Sequence, residues 1–147
     1  MTTAITDAFT HDHRACDHLL AAAESAVGTG GWSAIGRASE ALIAAVERHF
    51  RAEEAALFPA LAKVFLIAAH PIEILCGEHA QIRRLLEDLR AAVATCDREA
   101  VLGILETLNL LVQQHNYKEE AVIYPMADGA LRERASDMAA LVGPTAR

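Results

Sequence analysis

The chain is poor in several things, and each shortage excludes a class of protein. Aromatic residues make up 5% of its 147 positions and prolines number four. There is little of the Val/Ile/Thr alternation from which half-buried strands are built. No apolar run approaches the roughly 18 residues that a membrane span needs. Positive charge is scarce: 13 Lys and Arg face 20 Asp and Glu, a net charge of −7. That balance argues against nucleic acid or an anionic membrane as partner. The cysteines, Cys16, Cys76 and Cys96, are odd in number and widely spaced. They suit reduced thiols in a cytoplasm better than a disulfide framework. The amino terminus, MTTAITDAFTHDH, lacks the basic and apolar segments of a signal peptide, so a cytoplasmic protein is expected.

What remains is Ala, Leu and charge, with 53% of residues hydrophobic, and this is a composition for helices. Breakers divide the chain into four long helical stretches. The first spans about Asp7 to Val27 and stops at the glycines of GTGG, residues 28–31. The second starts near Trp32–Ser33 and carries Ile35, Ala38, Leu42, Val46 and His49 at helical spacing, with a kink or stop expected at Pro59. After a loop around Ala68–Pro71, a third runs from about Pro71 to Ala94 with Ile72, Leu75, His79, Ile82 and Leu86 on one stripe. The fourth begins at a cap near Asp97 and continues through Leu105, Leu108, Val112, His115 and Glu119 to about Ala127. Gly129 is expected to break it, and residues 131–141 to form a short terminal helix. Four amphipathic helices with short connections predict an all-α, antiparallel up-down four-helix bundle. With no linker in view, residues 1–147 read as a single domain whose core spans about 7–128.

The chain also repeats itself. A shift of 66 lays His13 on His79, His49 on His115, Glu53 on Glu119, Glu54 on Glu120 and Pro59 on Pro125. Leu19, Leu20, Leu42 and Val46 fall on Leu85, Leu86, Leu108 and Val112. Two helical hairpins related by an approximate two-fold axis follow from that register. An isolated HxxxE is an ordinary surface pair on a helix. Two of them in one register, each with a partner histidine 36 residues upstream, are not explained that way.

Residues four apart share a helix face, so His49 with Glu53, and His115 with Glu119, present an imidazole and a carboxylate toward one point. Both pairs lie on the apolar stripes. Unpaired buried carboxylates cost several kcal/mol and repel each other, so apolar surroundings call for a cation. With His13 and His79 the set comprises four imidazoles and two carboxylates. Six ligands exceed one tetrahedral zinc and suit two metals that share the carboxylates. The mixed donors point to iron, although other divalent metals fit such a set.

His13, HFRAEEAALFP (49–59), EHAQIRRLL (78–86) and HNYKEEAVIYP (115–125) together resemble the hemerythrin-like, or HHE cation-binding, domain. The resemblance covers about residues 7–128. It implies a four-helix bundle around two non-haem irons with an oxo or hydroxo bridge, held by His13, His49, Glu53, His79, His115 and Glu119. The implied ligand is small: O₂, NO or peroxide. Oxygen-carrying hemerythrins have a fifth histidine where Leu75 stands, and their last carboxylate follows its histidine by five residues, the position of Glu120. The four-His, two-Glu set is more similar to bacterial iron-centre repair proteins, whose extra N-terminal cysteine module is missing here. A role in oxidative or nitrosative stress, or in sensing, follows from the resemblance. An iron-sensing or iron-storing module acting through a protein partner, or an iron-centre repair protein, is the alternative. Neither catalytic residues nor a choice between monomer and homodimer can be read from the chain.

Other residues are expected to be structural. His11 and His18 are solvated or behind the ligands, His70 and Asp17 lie at the surface, and Glu54 and Glu120 flank the site. Cys16 and Cys76 fill small buried positions. Tyr117 and Tyr124 lie close enough in sequence to hydrogen-bond into the site.

Overall fold

In the computed structural model, residues 2–143 are described, and among them every regular element is helical. Helix α1 (Ala4–Thr29) pairs with α2 (Trp32–Ala52), which passes through a π-helical turn (Glu53–Leu57) into α3 (Phe58–Val64). A loop and a 3₁₀ turn lead to α4 (Ala69–Ala94), which pairs with α5 (Arg98–Lys118). That helix runs through a second π turn (Glu119–Ile123) into α6 (Tyr124–Ala130), and the short α7 (Ala135–Ala140) closes the described chain. Four antiparallel rods with a short C-terminal helix are the architecture the apolar stripes predict.

The ends of the rods have local causes. At the α1–α2 corner, a Cβ on Gly30 would lie 3.0 Å from the Ala26 carbonyl oxygen and 3.2 Å from the Ala34 Cβ, so the backbones approach too closely for a side chain. Asp97 caps α5 by accepting from the Ala100 amide at 3.0 Å. Neither Pro59 nor Pro125 stops its rod. A proline ring clashes with the carbonyl four residues back and offers no N–H. The helix accommodates this by widening into a π turn just before each proline, with the Phe58 amide bonded to the Glu53 carbonyl and the Tyr124 amide to the Glu119 carbonyl.

Four boundaries differ from the sequence expectation. Helix α1 begins at Ala4, because buried Asp128 accepts from the amides of Ile5 (2.9 Å) and Thr6 (3.1 Å), a tertiary cap. Helix α4 starts two residues before Pro71, which sits in its first turn. Gly129 stays within α6, and the chain leaves the helix at Leu131. The terminal helix is shorter than 131–141, since Arg132–Arg134 form a 3₁₀ turn first.

Along each rod the buried face changes character twice. One apolar cluster gathers Leu20, Ile35, Leu42, Ile82, Leu86 and Leu105. The other gathers Phe9, Leu57, Leu61, Leu75, Tyr124 and Met138. Between them, α1 contributes His13, α2 His49, α4 His79 and α5 His115, all at most 2% exposed. The bundle therefore carries a polar layer inside an otherwise apolar core. Among the described residues no helix is long and apolar enough to cross a membrane.

Candidate metal centre

The π turns place Glu53 and Glu119 as the first residue of each widened segment, fully buried and one turn beyond His49 and His115. Their carboxylates lie between the two pairs of imidazoles. Glu119 Oε1 is 3.0 Å from His13 Nε2, and its Oε2 is 3.1 Å from His115 Nε2. Glu53 Oε2 is 3.3 Å from His49 Nε2, and its Oε1 is 3.1 Å from His79 Nε2. Each carboxylate thus offers one oxygen to the His13/His49 side and one to the His79/His115 side. Two overlapping donor sets result: His13, His49, Glu53 and Glu119, and Glu53, His79, His115 and Glu119, each with its donor atoms within 4.8 Å of one another. The structure brings together all six residues singled out from the sequence.

Every imidazole turns Nε2 inward and gives Nδ1 to an outer carboxylate. His13 Nδ1 meets Glu120 at 2.7 Å, His49 Nδ1 Asp12 at 2.8 Å, His79 Nδ1 Glu54 at 2.7 Å, and His115 Nδ1 Glu78 at 2.8 Å. An Nδ1–H donated outward leaves the Nε2 lone pair free for a cation and makes it more basic. Outer carboxylates are in turn paired with cations. Arg14 reaches Glu120 at 3.0 Å, Arg83 reaches Glu54 at 2.8 Å, and Lys118 pairs with Glu78. Glu54 and Glu120 therefore flank the site as expected.

Asp12 and Glu78 escaped the sequence reading, yet the signal was there. They stand 66 apart, each immediately before a site histidine. Asp17, expected in solvent, is half-buried and bonds Arg14 and Gln113 across α1 and α5. His11, His18 and His70 are exposed, Cys16 is buried and Cys76 only half-buried. Tyr117 is an exposed side chain and takes no part in the centre.

Tyr124 does take part, and it breaks the two-fold symmetry. Its hydroxyl lies 2.5 Å from Glu53 Oε2, 2.9 Å from Glu119 Oε1, 3.0 Å from His13 Nε2 and 3.2 Å from His49 Nε2. Having one proton to give, it donates to one carboxylate, and it accepts only from an imidazole that also carries a proton on Nε2. The register mate of Tyr124 is Phe58, which stacks on His79 with centroids 5.9 Å apart. On that side no hydroxyl fills the centre. Glu53 Oε1 and Glu119 Oε2 are buried without a hydrogen bond, their approach to the imidazoles being off-axis, and the Nε2 atoms of His79 and His115 stand 3.1 Å apart. Two orphaned carboxylate oxygens beside two converging nitrogens fit a cation, which would satisfy all four at once.

The electrostatics agree. Burial opposes charge on His79, but the Glu119 and Glu53 carboxylates outweigh it and raise its pKa to about 9. His49 and His115 are also raised against burial, by Glu53 and Glu119 respectively. Burial works to raise Glu119, yet its histidine neighbours, His115 foremost, hold it well below the usual carboxylate range. Burial, then the two carboxylates, push Tyr124 well above 10, so its hydroxyl keeps its proton. In the metal-free layer, acid and base hold each other charged in a dry core, and a bound cation would take the place of the imidazole protons. Beside the layer lies a cavity of about 20 Å³, lined by His13, His49, His115, Cys16, Phe50 and Asn116 among others. Burial and the neighbouring Asp17 push the Cys16 thiol up to about 12, so it faces that cavity as a neutral group.

The comparisons agree with this geometry. The model of the hemerythrin HHE cation-binding domain matches residues 4–127. The chain belongs to that family. No curated protein and no solved structure matches the chain.

Proposed function

We propose that this protein is a non-haem di-iron protein that binds or reacts with a small oxidant: O₂, NO or peroxide. His13 and His49 would hold one iron, His79 and His115 the other, with Glu53 and Glu119 shared between them. The observation that carries the reading is the double ring of donors, four inward Nε2 atoms around two buried carboxylates, each imidazole braced from behind by an acid. Because α7 packs against α1, we take the domain to continue past the matched residues and to include the whole chain.

Bound iron would supply one-electron redox chemistry and open positions for a small ligand. The chain's own groups do the rest. The outer carboxylates fix each imidazole tautomer and orientation. Glu53 and Glu119 offset cationic charge that an apolar core would otherwise reject. The two apolar clusters exclude bulk water, and the cavity beside His13, His49 and His115 has room for a molecule about the size of one water. Tyr124 holds a proton at its Oη beside the His13/His49 half, donated to Glu53 in the metal-free layer. Leu75 stands where the oxygen carriers have a fifth histidine, and it is packed into the apolar cluster. This favours reaction or sensing over reversible oxygen carriage.

The test is anaerobic loading with ferrous iron followed by separate exposure to O₂, NO and H₂O₂, read by optical spectra. A spectral change with at least one of them is expected. Rapid loss of peroxide with release of O₂ assigns catalase-like turnover, and a stable adduct assigns a sensor. Iron-loaded protein that responds to none of the three contradicts the proposal.

A further inference from the structure

We propose that the chain pairs with a second copy of itself through an apolar surface at one end of the bundle. The surface is formed by the α3–α4 loop, the first turns of α4, the last turn of α5 and the second π turn. Large hydrophobic residues are concentrated there: Phe65, Leu66, Ile67, Ile74, Tyr117 and Val122, exposed by between 41% (Phe65) and 79% (Leu66). Ile67, Pro71 and Ile74 recur at i, i+4 and i+7, so the loop's apolar face continues along α4. Pro71, Ile74 and Leu75 then form one wall of a groove of about 320 Å³, whose other wall is Tyr117, Val122 and Ile123.

The internal repeat shows that the fold does not need this surface to be apolar. The turn after each proline occurs twice, 66 residues apart. Where the first copy has Leu66 and Ile67, the second has Arg132 and Glu133, both exposed. Where the second copy lines the groove with Tyr117, the first carries Arg51. The equivalent face of α1 is also covered: α7 packs on it, and Ile5, the register mate of Pro71, is fully buried. Among the described residues no element does the same for α4. One half of the pseudo-symmetric bundle has its cover and the other lacks one.

A second copy fits that vacancy better than any other occupant. Knob and groove adjoin the same two turns of α4, so a two-fold axis can seat the Leu66–Ile67 knob of each copy in the groove of its partner. Such a contact closes as a dimer without open-ended growth. The six side chains expose on the order of 700 Å², close to the roughly 800 Å² per partner that a standard interface buries. Charge does not oppose it. The one ionic group lining the groove, Lys118, is paired with Glu78, so the groove itself presents no unpaired charge to a second copy.

Sedimentation velocity on the full chain over a concentration series up to roughly 100 μM tests this, comparing the wild type with Leu66→Glu and Tyr117→Glu. Both positions are exposed, and far-UV circular dichroism checks that the helices persist. The wild type should sediment as a dimer, and each substitution should raise the dissociation constant by more than about 30-fold. A wild type that stays monomeric, or a dimer that neither substitution weakens, overturns the proposal. So does a monomer that co-sediments with phosphatidylcholine–phosphatidylserine vesicles through Leu66, which would assign the surface to a membrane.

Discussion

Tyr124 carries much of the centre's asymmetry in one oxygen atom. Its hydroxyl lies 2.5 Å from Glu53 Oε2 and 2.9 Å from Glu119 Oε1 in the His13/His49 half, with one proton to give, while the partner oxygens in the other half have no hydrogen bond. Tyr124→Phe removes the bond and makes the position like its mate Phe58. In metal-free protein the loss should cost about 2 kcal/mol, since it leaves a buried carboxylate unsatisfied. Urea denaturation measures this, and unchanged stability would contradict the placement. The convergence of the six residues His13, His49, Glu53, His79, His115 and Glu119 was legible because they share a spacing and a repeat register. The hydroxyl was legible only as a candidate, because its direction depends on the π turn that swings residue 124 inward. Tyr117 illustrates the difficulty: it is equally near in sequence, and it points to solvent.

At the scale of elements, the rods and their order follow from periodicity, and their ends depend on contacts that periodicity does not encode. Asp128 caps α1 from the far end of the chain, also accepting from the Thr6 hydroxyl at 2.7 Å, whereas its register mate is Ala62. Asp128→Ala should therefore cost about 1–2 kcal/mol in urea denaturation and speed hydrogen exchange at Ile5 and Thr6. Unaltered exchange there would argue that the cap is dispensable. The α4–α5 corner has the opposite defect. Cys96 sits at φ 53, the left-handed region that a side chain disfavours. Cys96→Gly should raise stability by about 0.5–1 kcal/mol in thermal melts under reducing conditions, and a loss would contradict the strain. Pro59 shows why a kink or stop was expected and how the rod continues: the sequence announces the clash, and a π turn relieves it while Glu53, like Glu119 in the other half, packs into the core.

At the scale of the whole molecule, the bundle is two hairpins folded around a charged layer, and that layer should make the metal-free protein sensitive to pH. The His79 pKa is raised from 6.5 to about 9, so its stabilising contribution is fully present below about 6.5 and lost as pH rises through about 9. Glu119, held low, contributes above the ordinary carboxylate range and loses that contribution in acid. Metal-free protein should therefore melt highest near pH 5–6.5 and lower toward pH 9. With metal bound, the imidazoles need no proton, and the alkaline fall should shrink. A metal-free melting temperature that rises between pH 6.5 and 9 would contradict the charge pattern. The two-fold organisation was legible at this scale from the shift of 66 alone. What the shift could not give is the consequence of the differences, a hydroxyl in the centre at Tyr124 against a ring at Phe58, and α7 against the bare face of α4.

The most direct test is the metal content of the protein after iron-replete expression and purification without chelators, measured by inductively coupled plasma mass spectrometry beside Glu53→Ala and Glu119→Ala. Two irons per chain are expected in the wild type, with fewer than two in each variant because the shared carboxylate is lost. A wild type that retains no metal, or variants that retain both irons, would contradict a centre built from these six residues.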